Sequence, residues 1–168
     1  LLVELLSDNV TRKLYPFDFK VRLQFSIRNG TLAINQVYEN TGEKRMPFAF
    51  GFHPYWLVQD PETAAVETLE LGGGASKFLT LSFPEGQEQG AVSVDNAAEY
   101  AILDVGGGKR VRCRFDSSFT RLTVWSVKNK GFICIEPINS SPNGIATGDC
   151  YYLECRESKT AFVSFDVV

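Results

Sequence analysis

Any imidazole chemistry in this chain must use His53, because the sequence holds one histidine. It stands in Gly51-Phe52-His53-Pro54-Tyr55-Trp56, a setting crowded with rings. Pro54 biases the residue before it toward extended backbone. In an extended segment His53 and Tyr55 share one face and Phe52 points the other way. The bland reading is a structural or merely exposed histidine; the functional one is a proton donor or acceptor, since an imidazole ordinarily titrates near neutrality.

Glu136 is the second unusual residue. It closes the apolar run Gly131-Phe132-Ile133-Cys134-Ile135-Glu136 and precedes Pro137. Phe132, Cys134 and Glu136 share one face of such a strand, Ile133 and Ile135 the other. A carboxylate there is costly unless it is paired, hydrogen-bonded or at a sheet rim. Either it is a rim glutamate facing water, or it is desolvated enough to serve as a base near neutral pH. The working expectation is that His53 and Glu136 converge on opposite sides of one small cavity.

The elements that must position this pair read as strands. Lys20 to Arg28 alternates polar and apolar, Asn29-Gly30 is a tight-turn signal, and Thr31 to Asn40 continues as the partner strand. Met46 to Trp56 is aromatic and broken by Pro47 and Pro54, which suits an irregular strand entering a loop. Residues 57–100 read as turns and long loops, with a short helix expected near Thr63 to Leu69. Tyr100 to Val105 and Arg110 to Phe115 flank Gly106-Gly107-Gly108 as a second hairpin. Thr120 to Val127 alternates again, and Tyr151 to Leu153 and Ala161 to Val168 supply closing strands. The sum is one all-β domain over residues 1–168, an antiparallel β-sandwich. Neither triple glycine is a phosphate loop, since neither leads through G-K-S/T into a helix.

Several segments together resemble the aldose 1-epimerase (galactose mutarotase) family. They are Tyr15-Pro16-Phe17-Asp18-Phe19, then Met46 through Trp56, then Val124-Trp125-Ser126, then Phe132 through Pro137, in the family's order. The G-x-H-P-Y-[FW] and I-E-P pieces are the most specific. The resemblance implies a galactose mutarotase-like supersandwich and interconversion of the α and β anomers of a hexose or hexose phosphate, with no metal and no organic cofactor. It implies that Glu136 takes the proton of the anomeric hydroxyl and His53 gives one to the ring oxygen. It also implies an aspartate between these motifs that holds sugar hydroxyls; Asp95 is the nearest candidate by position, Asp104 a weaker one. Tyr55 and Trp56 are the rings expected to pack on a pyranose, and Trp125 is expected in the core. A phosphorylated substrate would need a cation near His53, for which Lys44 and Arg45 are near in sequence. A further histidine and an arginine of the family's site have no counterpart here. Leu1 opens inside an apolar segment with no initiator Met, so residues are expected to precede it. A non-catalytic carbohydrate-binding module on the same scaffold, and a ligand-free structural domain, are the competing readings.

Composition narrows the partners. Net charge is −3, and no basic excess exists to displace counterions from a nucleic acid. No apolar run reaches the ~18 residues of a membrane span. The four cysteines form no CxxC pair and lack zinc-site spacing; Cys113 and Cys134 read as small buried hydrophobes. The expected partner is a small sugar in a reduced cytoplasmic setting, with neither nucleic acid nor membrane.

Overall fold

The structure, a computed structural model, describes residues 1–62, 64–70, 77–95 and 98–168. The strands follow the alternation of the sequence. They are β1 (Leu2–Leu6), β2 (Phe19–Arg28), β3 (Thr31–Asn40), β4 (Met46–Phe48), β5 (Tyr55–Leu57), β6 (Ala65–Glu70), β7 (Lys77–Thr80) and β8 (Gln89–Asp95). Then come β9 (Ala98–Gly106), β10 (Lys109–Phe115), β11 (Arg121–Val127), β12 (Phe132–Ile138), β13 (Tyr151–Leu153) and β14 (Ser158–Val167). Two single-turn helices, α1 (Thr11–Leu14) and α2 (Gly144–Thr147), sit in connections. Every pairing among them is antiparallel.

Among the described residues three sheets form. The large one runs β1-β2-β3-β14-β10-β9-β6-β7, the second β5-β12-β11-β8, and the small one β13-β4. The β2–β3 hairpin turns on Asn29 and Gly30, both at positive φ, as the tight turn between right-twisted strands requires. The β9–β10 hairpin likewise turns at Gly106 to Gly108. The first two sheets face each other across one core. Leu122, Val124, Ile133 and Ile135 come from the second sheet; Leu103, Cys113, Phe115, Val163 and Phe165 come from the first. The antiparallel sandwich expected from the sequence is thus the observed architecture.

The stretch before β9 departs from expectation. Ala65–Glu70 is a strand, not a helix; Thr63 lies outside the described residues. Its Val66 is fully buried between Leu79 of β7 and Leu103 of β9, and that two-sided pairing overrides a weak helical pattern. The loops read between 77 and 95 are largely β7 and β8. The Gly72-Gly73-Gly74 loop falls outside the described residues. At the far rim, every residue of β1 is exposed, its leucines included. No helix among the described residues is long and apolar enough to cross a membrane.

Candidate active site

The second sheet buries one face and leaves the other open, and the open face carries the chemistry. Registers between its strands arrange the outward side chains in rows. One row runs Tyr55, Cys134, Trp125, Ala91; the next runs Glu136, Thr123, Ser93; the third runs Ile138, Arg121, Asp95. These are the odd-side positions of β11 and the alternate positions of β12, set by the two-residue period of a strand.

His53 comes to this face from the segment between β4 and β5. That segment is fastened to the end of β12. Phe50 N–H donates to Asn139 Oδ1 at 2.6 Å, Asn139 N–H to Phe50 O at 3.2 Å, and Phe52 N–H to Pro137 O at 3.0 Å. Gly51 bridges Ile138 at the contact point. A Cβ at residue 51 would lie 2.5 Å from Ile138 Cγ2 and 3.0 Å from Pro137 O, so only glycine allows this approach. Two residues further on, His53 Nε2 lies 3.1 Å from Glu136 Oε1. The two groups therefore touch directly, on one side of the site, rather than facing each other across a gap.

Their surroundings differ. The His53 side chain is 50% exposed, that of Glu136 only 14%. Burial pushes the Glu136 carboxyl above its ordinary value, and the neighbouring His53 opposes that shift. The imidazole stacks on Tyr55 (centroids 5.0 Å apart, 18° between planes) and meets the edge of Trp125 at 5.6 Å. Phe132 supports both Tyr55 and Trp125. Beside the pair opens a cleft of about 490 Å³, lined by Glu136, Thr123, Ser93, Arg121, Ser140 and Ser141 among others. That size falls within the ~300–1,000 Å³ of small-molecule sites. Ser93 Oγ and Thr123 Oγ1 share a hydrogen bond at 2.7 Å on its floor. Arg121 Nη2 contacts Asp95 Oδ1 at 3.3 Å; hydrogen bonds from Ser141 hold the Asp149 carboxyl below its usual range, with a smaller share from the Arg121 charge. Another hollow, of about 440 Å³, lies among Val58, Glu67, Phe78 and Arg110, but its lining holds neither imidazole nor thiol.

The comparison that decides the family is with its sequence model, described as aldose 1-epimerase, which matches residues 1–149. The chain belongs to the aldose 1-epimerase family. No curated protein matches it. Among solved structures, the Slr1438 protein from Synechocystis sp. PCC 6803 superposes with TM-score 0.83 at 23% identity, covering 99% of this chain and 61% of that one. A galactose mutarotase-like protein from Lactobacillus casei gives TM-score 0.77 at 20% identity, over 99% of this chain and 69% of that one. A galactose mutarotase related enzyme from Lactobacillus acidophilus gives 0.75 at 18%, over 99% and 67%. These structural likenesses establish the fold, and the chain spans less than two thirds of the Synechocystis protein.

Within this aldose 1-epimerase fold, His53, Glu136 and Tyr55 meet at one place. Asp95 stands at the end of the third row, with its side chain 92% exposed. Asp104 belongs to the other sheet, where its Oδ1 accepts from Gly106 N–H in the hairpin turn. Trp56 points away from the site, against Phe165 in the core, and Trp125, expected in the core, takes the outward position instead. The two indoles are thus exchanged relative to expectation. Strand alternation sets Trp56 on the face opposite Tyr55, and the β11–β12 register sets Trp125 beside Cys134 on the outward face. Arg45 is held by Glu154 at 2.9 Å and lies over the Tyr152 ring, so the cation that lines the cleft is Arg121. Arg121, Thr123 and Ser93 were not singled out from sequence. Their alternation was visible, but the register that sets them beside Glu136 was not.

Proposed function

We propose that this chain catalyses anomer interconversion of an aldose through His53 and Glu136. One observation carries the reading: an imidazole and a largely buried carboxylate lie 3.1 Å apart on an open sheet face, beside a ring platform and a sugar-sized cleft. Opening a cyclic hemiacetal moves protons at two oxygens bonded to the same carbon. An acid and a base 3.1 Å apart suit two oxygens so close together.

The Glu136 carboxylate accepts the proton of the anomeric hydroxyl, while protonated His53 gives its proton to the ring oxygen. The bond between C1 and the ring oxygen breaks, its electron pair stays on that oxygen, and C1 becomes an aldehyde carbon. After rotation about C1–C2 the steps reverse: the hydroxyl returns its proton to His53, and Glu136 returns its own to the anomeric oxygen. No proton is gained or lost over the cycle. Desolvation of Glu136 strengthens it as a base, and Tyr55 and Trp125 offer rings for the apolar face of the sugar. Arg121, Ser93 and Thr123 offer donors to its hydroxyls. With Arg121 set among Asp95 and Asp149, and Glu136 nearby, the cleft favours a neutral hexose over its phosphate.

The test is NMR exchange with freshly dissolved α-glucose and α-galactose. The protein accelerates equilibration, and His53→Asn and Glu136→Gln each lower the rate by about 10²–10⁴. Sugar binding without acceleration would favour the binding-module reading instead. Near-full rates in either variant would remove that residue from the mechanism.

A further inference from the structure

The same rows that assemble the acid–base pair bring a thiol beside it. Cys134 stands opposite Tyr55 and Trp125, one row from Glu136 and on the same face, and is fully covered by its neighbours. A ligand atom from each of His53, Cys134 and Glu136 lies within 4.8 Å of the other two. Among the described residues no other three His, Cys, Asp or Glu donors come so close.

We propose that His53, Cys134 and Glu136 form an inhibitory site for a thiophilic divalent cation, of which zinc is the type. One nitrogen, one sulfur and one carboxylate oxygen make a donor set suited to zinc, and three protein ligands leave the fourth position to water. Zinc–ligand bonds of about 2.0–2.3 Å put tetrahedral ligands roughly 3.3–3.8 Å apart. The His53–Glu136 pair, at 3.1 Å, is already near that spacing. The half-exposed His53 ring can adjust toward a metal without disturbing the core. On binding, the Cys134 S–H bond breaks, its proton goes to solvent, and the sulfur keeps the electron pair that it shares with the metal. Glu136 and His53 then hold their lone pairs on zinc and can neither accept nor give a proton to a sugar. The binding part stands on geometry alone; the inhibition rests on the proposed epimerase chemistry.

The experiment uses metal-stripped protein in a Cys150→Ser/Cys155→Ser background, which removes the two thiols that are not fully buried. Calorimetry with zinc should show one equivalent bound. Cobalt(II) should give the near-ultraviolet charge-transfer band of a metal–thiolate bond. Cys134→Ser should abolish the band and weaken zinc by more than about tenfold, and His53→Asn should weaken zinc by a similar factor. No binding, cobalt bound without the band, or a zinc affinity that either variant leaves unchanged would overturn the site. Should Cys134→Ser fail to fold, the band in unaltered protein and the response of His53→Asn still decide. Zinc should also slow anomer exchange, and a chelator should restore it. If metal-free protein exchanges no anomers, the epimerase reading fails while the calorimetric and optical results stand.

Discussion

The two faces of β11 and β12 are made by the same residues in alternation, yet they do opposite work. Inward, Leu122, Val124, Ile133 and Ile135 have no solvent exposure and fill the core. Outward, Arg121, Thr123 and Glu136 line a cleft and Trp125 meets His53, with a carboxylate that burial has pushed up in pKa. One face is optimised for packing, and the other keeps a group whose charged form the fold disfavours. Stability and activity are therefore separable by substitutions one residue apart.

The sharpest break in that comparison is Glu136→Gln. Anomer exchange should fall by about 10²–10⁴, and stability at neutral pH should rise. The sign follows from linkage. A carboxyl whose folded-state pKa is raised favours folding in its protonated form. Its contribution is fully present below the ordinary value of 4.5 and lost as pH rises through the folded value. The variant's advantage in denaturant melts should therefore grow from pH 4 toward neutrality; a variant less stable than the parent at pH 7 would contradict it. Leu122→Ala, on the inner face of the next strand, should do the converse. It should cost about 2–5 kcal/mol in equilibrium unfolding while the folded fraction keeps its KM.

Gly51→Ala tests the fastening between the His53 segment and β12. The added methyl must displace Ile138 or Pro137, which moves the imidazole from Glu136, and a shift near 1 Å should cost up to about 10²-fold in rate. Thermal melting should change less than in Leu122→Ala. The smallest expected effect is in the pH profile: the acid limb of kcat/KM should lie above 4.5, the ordinary glutamate value, because the base is desolvated.

The sequence made some of this arrangement readable, for identifiable reasons. Asn29-Gly30 between the alternating run Lys20 to Arg28 and its partner Thr31 to Asn40 leaves one turn geometry, and β2 and β3 pair as that turn dictates. His53 and Glu136 stood out because one is the sole imidazole and the other ends an apolar run in the sequence. Register is what strands conceal. Nothing local to Arg121 says that it lies across from Ile138 and Asp95, nor does Cys134 announce that an imidazole lies beside it. Val66 shows the same limit, since its partners Leu79 and Leu103 lie outside any local window.

The exchanged positions of the two indoles carry a practical consequence. Trp56 and Trp125 are the chain's only tryptophans, one packed against Phe165 at the core and the other edge-on to His53. The molecule thus carries two native fluorophores, one for each process. Emission from Trp125 reports what arrives at the sheet surface, and emission from Trp56 reports whether the two sheets are still closed on each other. In a Trp56→Phe protein, titration with sugar or metal can be followed by light alone, with no added label.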